Sequence, residues 1–208
     1  WLEKKEEEKE ELRRQQEILR EQAKAEEEMK AKMEQLNVER EHFNNELARL
    51  AELEQTNEVL TQIQSAQEKL EELDKQEEEI EYRIINNKAG YVYIISSPSF
   101  EGQEIYKIGV TRRLDPQVRV DELGSASLPF RFGVHSFIFS EDAFALEHSL
   151  HTAFDSQRVN KANIRKEFFN VTLEEIKEEV KKHNPTAQFI DKVTVEEYEL
   201  TKKIKEME

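Results

Sequence analysis

The chain has 208 residues and a net charge of −15, and it lacks cysteine, which excludes a disulfide framework and a thiolate metal site. Residues 1–88 carry 15 basic and 26 acidic side chains, net −11, whereas residues 89–170 carry 9 and 10, net −1. That balance argues against a broad nonspecific nucleic-acid surface and leaves room for a local basic cleft.

No apolar run approaches the roughly 18–20 residues that span a bilayer, and no signal peptide is visible. The expected location is the cytoplasm. The sequence begins at Trp1, not Met. The expectation is therefore a fragment, and an upstream anchor would place it on the inner face of a membrane.

Residues 1–85 contain neither Gly nor Pro and are dominated by Glu, Lys, Gln, Leu and Ala, all good helix formers. Apolar residues recur at three and four: Met29, Met33, Leu36, Phe43, Leu47, Leu50, then Leu60, Ile63 and Leu70. Arg40 interrupts this seam, and Gln15, Gln22 and Glu26 fill the positions before it. A long helix is predicted, with coiled-coil pairing centred on 29–70. A solitary helix held by i,i+4 ion pairs, or a helix that packs on residues outside this sequence, is the alternative.

Apart from Trp1 and Phe43, the aromatic residues begin at Tyr82, so the core-forming material lies in the second half. "NNKAG" at 86–90 breaks the helical pattern, and the period changes to two. "YVYII" at 91–95 reads as a buried strand, "SSPSFEGQ" as a turn, and "EIYKIG" at 104–109 as a second strand joined by a hairpin. "DPQVRVDELG" predicts a short helix with Asp115 as N-cap, Pro116 at its first position and Gly124 just past its end. "FRFGVHSFIF" at 130–139 alternates as a third strand. Ser140 is placed as the cap of the helix after it, which offers Phe144, Leu146, Leu150 and Phe154 to the core. After a polar loop and "KEFFNV", the pairs Thr172/Glu175 and Thr194/Glu197 mark capping boxes for two further helices. The fold class is α+β: a small three-stranded antiparallel sheet flanked by helices, preceded by a long helical region. The expected divisions are a charged helix or coiled coil at 1–86, a globular domain at 87–170, and C-terminal helices at 171–208.

Several polar residues fall at odd places for a core. Glu147 and His151 stand four apart and share a helix face. An acidic residue in a core-forming helix calls for a metal, a cation or solvent, unless that helix face is merely charged. Lys107 alternates with Tyr106 and Ile108, so it faces away from them. A lysine inside a central strand is uncommon unless its head reaches solvent or a ligand. Arg112, Arg113 and Arg119 form one basic cluster, and Arg158, Lys161, Arg165 and Lys166 a second. Each could be plain surface. Together with one carboxylate they could bind and cut a phosphodiester, where cations stabilise developing charge and the carboxylate holds a metal.

The order "GYVYII", "YKIGVTRRL", "ALEHSLHTAF", "RKEFF" over residues 89–170 resembles the GIY-YIG nuclease superfamily. It is more closely similar to the branch named for an open reading frame of coliphage T-five, whose second motif typically reads K-I-G. A long helical region before this domain resembles bacterial proteins in which such a nuclease follows a helical segment of unknown function. Some of these are implicated in defence against phage, with the nuclease held at the membrane. The resemblance implies a metal-dependent DNA endonuclease using Mg²⁺ or Mn²⁺. By position, Tyr93 matches the tyrosine of the first motif, which contacts or activates the attacking water. Arg119 matches the arginine that binds the scissile phosphate, and Glu147 the single acidic metal ligand. Asn160 falls where the late asparagine sits, and His151 matches a histidine typical of the branch. Arg112, Arg113, Arg165 and Lys166 are further candidates for DNA contact.

One position departs from the pattern. Aligned on Gly109, the tyrosine of the second motif corresponds to Lys107, and Tyr106 is one residue off, which on a strand changes the face. Val110 also replaces the lysine usual after the glycine. Either Lys107 serves as the cation near water and phosphate, which is the favoured reading, or activity has been lost. The expected partners are DNA, further copies of the chain through the N-terminal helix, and a membrane or protein tether upstream. The alternatives are a DNA-binding module without catalysis on a coiled-coil scaffold, and a scaffold whose globular end binds protein.

Overall fold

The computed structural model describes residues 2–54, 56–125 and 128–207. The helix-forming stretch 1–85 becomes two helices, α1 (Leu2–Ala51) and α2 (Asn57–Ile85), in place of the single long helix expected there. The break lies where Thr56 turns extended and its hydroxyl accepts from the Val59 amide at 3.3 Å, an N-cap that starts a new helix. Residues 1–22 group with 88–208 in one unit, and residues 23–87 form a second.

Within the second unit most of the buried apolar positions fall at multiples of seven, Met29, Leu36 and Leu50 on α1 and Ala66, Leu73 and Ile80 on α2, with Ala25 one turn before Met29. That is the period of one helix packed along another. Arg40 breaks the apolar seam to join the helices: its guanidinium donates to Asp74 at 2.8 Å and to Glu77, both on α2. Leu60, read from sequence as part of the seam, is exposed.

In the first unit, alternation becomes a four-stranded antiparallel sheet ordered β3-β1-β2-β4. The strands are β1 (Gly90–Ser96), β2 (Ile105–Thr111), β3 (Gly133–Ser140) and β4 (Phe168–Asn170). The α+β class is as expected, with one strand more than the three predicted. β4 is only three residues long, too short for a period-two signal, and it pairs with β2 from Ile105↔Asn170 to Lys107↔Phe168. The hairpin of β1 and β2 pairs Tyr93 with Gly109 and Ile95 with Lys107. Its turn carries Gly102 at φ 79°, a conformation that favours glycine.

The two sheet faces are covered differently. Val92, Ile94, Ile108 and Ile138 meet α4 (Ala143–Ala153) and α5 (Leu173–Lys181) through Leu146, Leu150, Ile176 and Val180. Tyr93 and Ile95 on the other face pack with Phe132 and with Val120 of α3 (Pro116–Ser125). Asp115 caps α3 as predicted, its carboxylate accepting from the Gln117 amide at 2.9 Å. α4 is capped by Asp142, not Ser140: the Asp142 carboxylate accepts from Ala145 N at 2.9 Å, and Ser140 only supports Asp142. The Thr172–Glu175 capping box of α5 is present, and α6 (Glu196–Met207) follows the second such signal.

His135 on β3 is buried between two partners. Its Nδ1 donates to the Ile190 carbonyl at 2.8 Å, and its Nε2 accepts from the Ser96 hydroxyl at 2.8 Å. Burial lowers its pKa, only partly opposed by the Ile190 carbonyl and Asp191. His151 is shifted the same way, again by burial. An unfolded histidine titrates near about 6.5. The unfolded chain therefore binds more protons just below that pH, and stability is intact above it and lost as pH falls from there toward the lower folded values. The urea midpoint should decline between pH 7 and 5.5, and decline less steeply in His135→Asn. Parallel curves would assign the decline to other groups.

Candidate active site

A cavity of about 760 Å³ opens on the sheet face that carries Tyr93. Four elements supply its chemistry: Tyr93 from β1, Lys107 from β2, Arg119 from α3 and Glu147 from α4. The loop before β4 adds Arg165, Lys166 and Glu167.

Tyr93 and Lys107 come together because β1 and β2 are antiparallel. Tyr93 lies opposite Gly109, and Lys107, two residues from Gly109, shares its face. The Lys107 ammonium stands 5.9 Å from the centre of the Tyr93 ring and 5.8 Å from that of Phe168. It donates to the Glu167 carboxylate at 2.6 Å. Burial works against this charge, but the hydrogen bond and negative charge of Glu167, with the charge of Glu147, oppose it and the pKa is raised, so Lys107 is charged at neutral pH. Tyr106 takes the opposite face, as the strand period requires. It packs against the other core and meets the His135 ring edge-on at 5.1 Å.

Tyr93 is fully buried, and burial raises its pKa despite Lys107 and Arg119 nearby. The phenol therefore keeps its proton at neutral pH, where it can donate a hydrogen bond but not take up a proton as a phenolate. Gly109 is part of this arrangement. It does not end the strand in a turn; it lies inside β2, and a Cβ there would stand 2.3 Å from the Tyr93 hydroxyl. The missing side chain is the space that the phenol fills.

Glu147, His151 and Glu167 each present a ligand atom, all within 4.8 Å of one another. His151 Nε2 lies 2.9 Å from the Ile108 carbonyl, which can only accept, so the ring proton is on Nε2. Burial keeps the ring neutral, which leaves a lone pair on Nδ1. Two carboxylates suit a hard divalent cation such as Mg²⁺, which binds through one or two carboxylates and keeps waters. An imidazole beside them extends the fit to Mn²⁺.

The remaining sequence candidates separate. Arg112 lines the cavity and is buried. Arg113 is also buried, donating to Glu122 at 3.1 Å, so neither is the plain surface residue that the sequence allowed. Arg165 and Lys166 reach the cavity, whereas Arg158 is tied to Asp155 and to the Ile164 carbonyl. Asn160 is absorbed in its own loop, its side-chain oxygen accepting from the Ala162 and Asn163 amides at 3.1 and 2.8 Å. Asn163 is the asparagine that lines the cavity. The residue missed from sequence is Glu167. Its signal was an acidic side chain directly before the apolar pair Phe168–Phe169.

The fold and site define a small α+β module with a cationic, carboxylate-bearing pocket on a four-stranded sheet. Residues 90–184, just under half of the chain, match the T5orf172 domain family. That stretch includes the motifs that carry the resemblance described above. No match was found among curated proteins or solved structures. Among the described residues, no helix is long and apolar enough to cross a membrane.

Proposed function

We propose that this chain is a metal-dependent DNA endonuclease of the GIY-YIG type that hydrolyses phosphodiester bonds in phage or other foreign DNA. The observation that carries this reading is the convergence of Tyr93, Lys107, Arg119 and Glu147, from four separate elements, on one cavity. A protein-binding scaffold gives no reason for that convergence.

In this reading the scissile phosphate lies against Arg119, whose guanidinium fork matches phosphate oxygens. Lys107 adds a second positive charge from inside the sheet and stabilises charge as it grows on the nonbridging oxygens. Glu167 keeps that ammonium in place. The Tyr93 hydroxyl donates to and orients the attacking water, and His151, which in this reading is not a metal ligand, accepts the water's proton on Nδ1. A bond forms from the water oxygen to phosphorus while the bond to the departing strand oxygen breaks, and that oxygen takes up a proton from solvent. Glu147, with Glu167 in reach, would hold Mg²⁺ or Mn²⁺, which when bound supplies Lewis-acid charge at the phosphate. Arg165 and Lys166 contact the flanking strand. The helices at 1–86 serve self-association or tethering, which raises local concentration for a protein whose net charge opposes DNA.

The test is relaxation of supercoiled plasmid by the purified chain. Nicking is expected with Mg²⁺ or Mn²⁺ and should stop on chelation. Salt-sensitive DNA binding with no cutting in either metal would replace this reading with a noncatalytic DNA-binding module.

A further inference from the structure

The cavity has one wall drawn from the N-terminal helix of the same chain. Glu17, Ile18, Glu21 and Gln22 of α1 form one of its walls, and this part of α1 belongs to the same unit as the sheet. Glu17 and Glu21 are one helical turn apart and share a face. The Glu21 carboxylate accepts from Arg113 Nε at 3.0 Å and from the Thr111 hydroxyl at 3.2 Å, and it lies 3.4 Å from Arg119 Nη1. Glu17 bridges Arg119 Nη2 at 3.7 Å and Arg165 Nη2 at 3.6 Å. A helix rich in good helix formers needs none of these contacts to be helical.

The arginines are not arranged only for these glutamates. Arg113 already has a partner on α3 in Glu122. Without α1, Arg119 would keep, among the described residues, only Glu122 at 3.8 Å. Its Nε is buried and has no hydrogen-bond partner among the described residues even with α1 in place. A guanidinium fork with an unused donor and two carboxylates at ion-pair, not hydrogen-bond, distance fits a planar or tetrahedral anion better than it fits its present partners. Phosphate and carboxylate are alternative ligands for that fork.

We infer that residues 17–22 of α1 plug the phosphate site, with Glu17 and Glu21 standing where two anionic groups of a DNA strand would bind. The inference rests on the DNA-cleaving reading for the identity of the displaced ligand. Glu17 is more than half exposed, so its pairs are weak and salt-sensitive, while the Glu21 pairs are largely shielded. Such a latch yields to a polyanion at high local concentration and resists a stray one. It restrains an enzyme that would otherwise meet any DNA.

The test compares the full chain, Glu17→Gln/Glu21→Gln, and a charge-matched control, Glu27→Gln/Glu34→Gln, whose side chains are exposed on α1 outside the site. A fluorescent 20-base-pair duplex reports affinity, and supercoiled plasmid with Mn²⁺ reports cutting. The plug variant should bind about tenfold tighter than the control, within the ~5–150-fold range usual for coupled sites, and should nick faster. Tighter binding with no cutting by any protein would support the plug and count against the nuclease. Equal affinity and equal nicking, with wild type active, would overturn the plug and leave the nuclease standing. No binding by any of the three would overturn both. Hydrogen exchange on the wild-type chain gives an independent reading: adding the duplex should speed exchange at the amides of 13–22, and unchanged protection while DNA is bound would overturn the plug.

Discussion

Lys107→Met should slow plasmid nicking by ~10²–10³-fold, the range found when one preorganised donor is removed from a developing oxyanion. Methionine matches the length of the lysine stem and tolerates an irregular slot, so the change removes charge more than shape. It also strips Glu167 of its 2.6 Å partner. Breaking a fully buried pair costs about 3–5 kcal/mol. Glu167 keeps a quarter of its side chain exposed and can turn toward water, so a loss of about 1–3 kcal/mol is expected instead. The companion Lys107→Met/Glu167→Gln separates the two effects. Removing the stranded charge should restore most of the stability and none of the activity. Nicking by Lys107→Met within tenfold of wild type, with folding intact, would show that the cation of the second motif is dispensable.

The face of Lys107 was legible because a strand's period is two and needs no partner to define it. Tyr106, the conspicuous tyrosine, could be set aside on the same ground. The meeting of Tyr93 with Gly109 was not legible. It depends on the register of β1 against β2, which the turn "SSPSFEGQ" does not specify. Glu167 was hidden for a related reason: it precedes a three-residue strand that forms only by pairing with β2, sixty residues earlier in the chain. The cap of α4 shows competition between neighbours. Ser140 and Asp142 are both good caps, and Asp142 wins because its carboxylate reaches the Ala145 amide and also meets Lys88. Most distant from sequence logic are Glu17 and Glu21. In a helix with so many glutamates, nothing local marks the two that face arginines some ninety residues away.

Gly109→Ala tests the geometry on which Tyr93 depends. The new methyl carbon would lie 2.3 Å from the Tyr93 hydroxyl oxygen, 2.5 Å from Cζ and 2.9 Å from Cε2, all inside contact distance. The ring cannot swing away freely, because Ile95, Val120 and Phe132 pack with it. Alanine gains about 0.5–1 kcal/mol over glycine in strand entropy, and overpacking costs about 1–3 kcal/mol or more. The clash should win, lowering stability by about 1–2 kcal/mol and nicking by about the factor lost in Tyr93→Phe or more. The second-site pattern is the decisive part. Gly109→Ala/Tyr93→Phe removes only the hydroxyl and leaves Cζ in the way, so it should stay destabilised. Gly109→Ala/Tyr93→Leu removes the far edge of the ring and should recover stability while remaining inactive. Urea unfolding of the three variants decides the matter. If Gly109→Ala is as stable and as active as wild type, the phenol does not rest on this glycine, and the water-orienting role of Tyr93 loses its geometric basis.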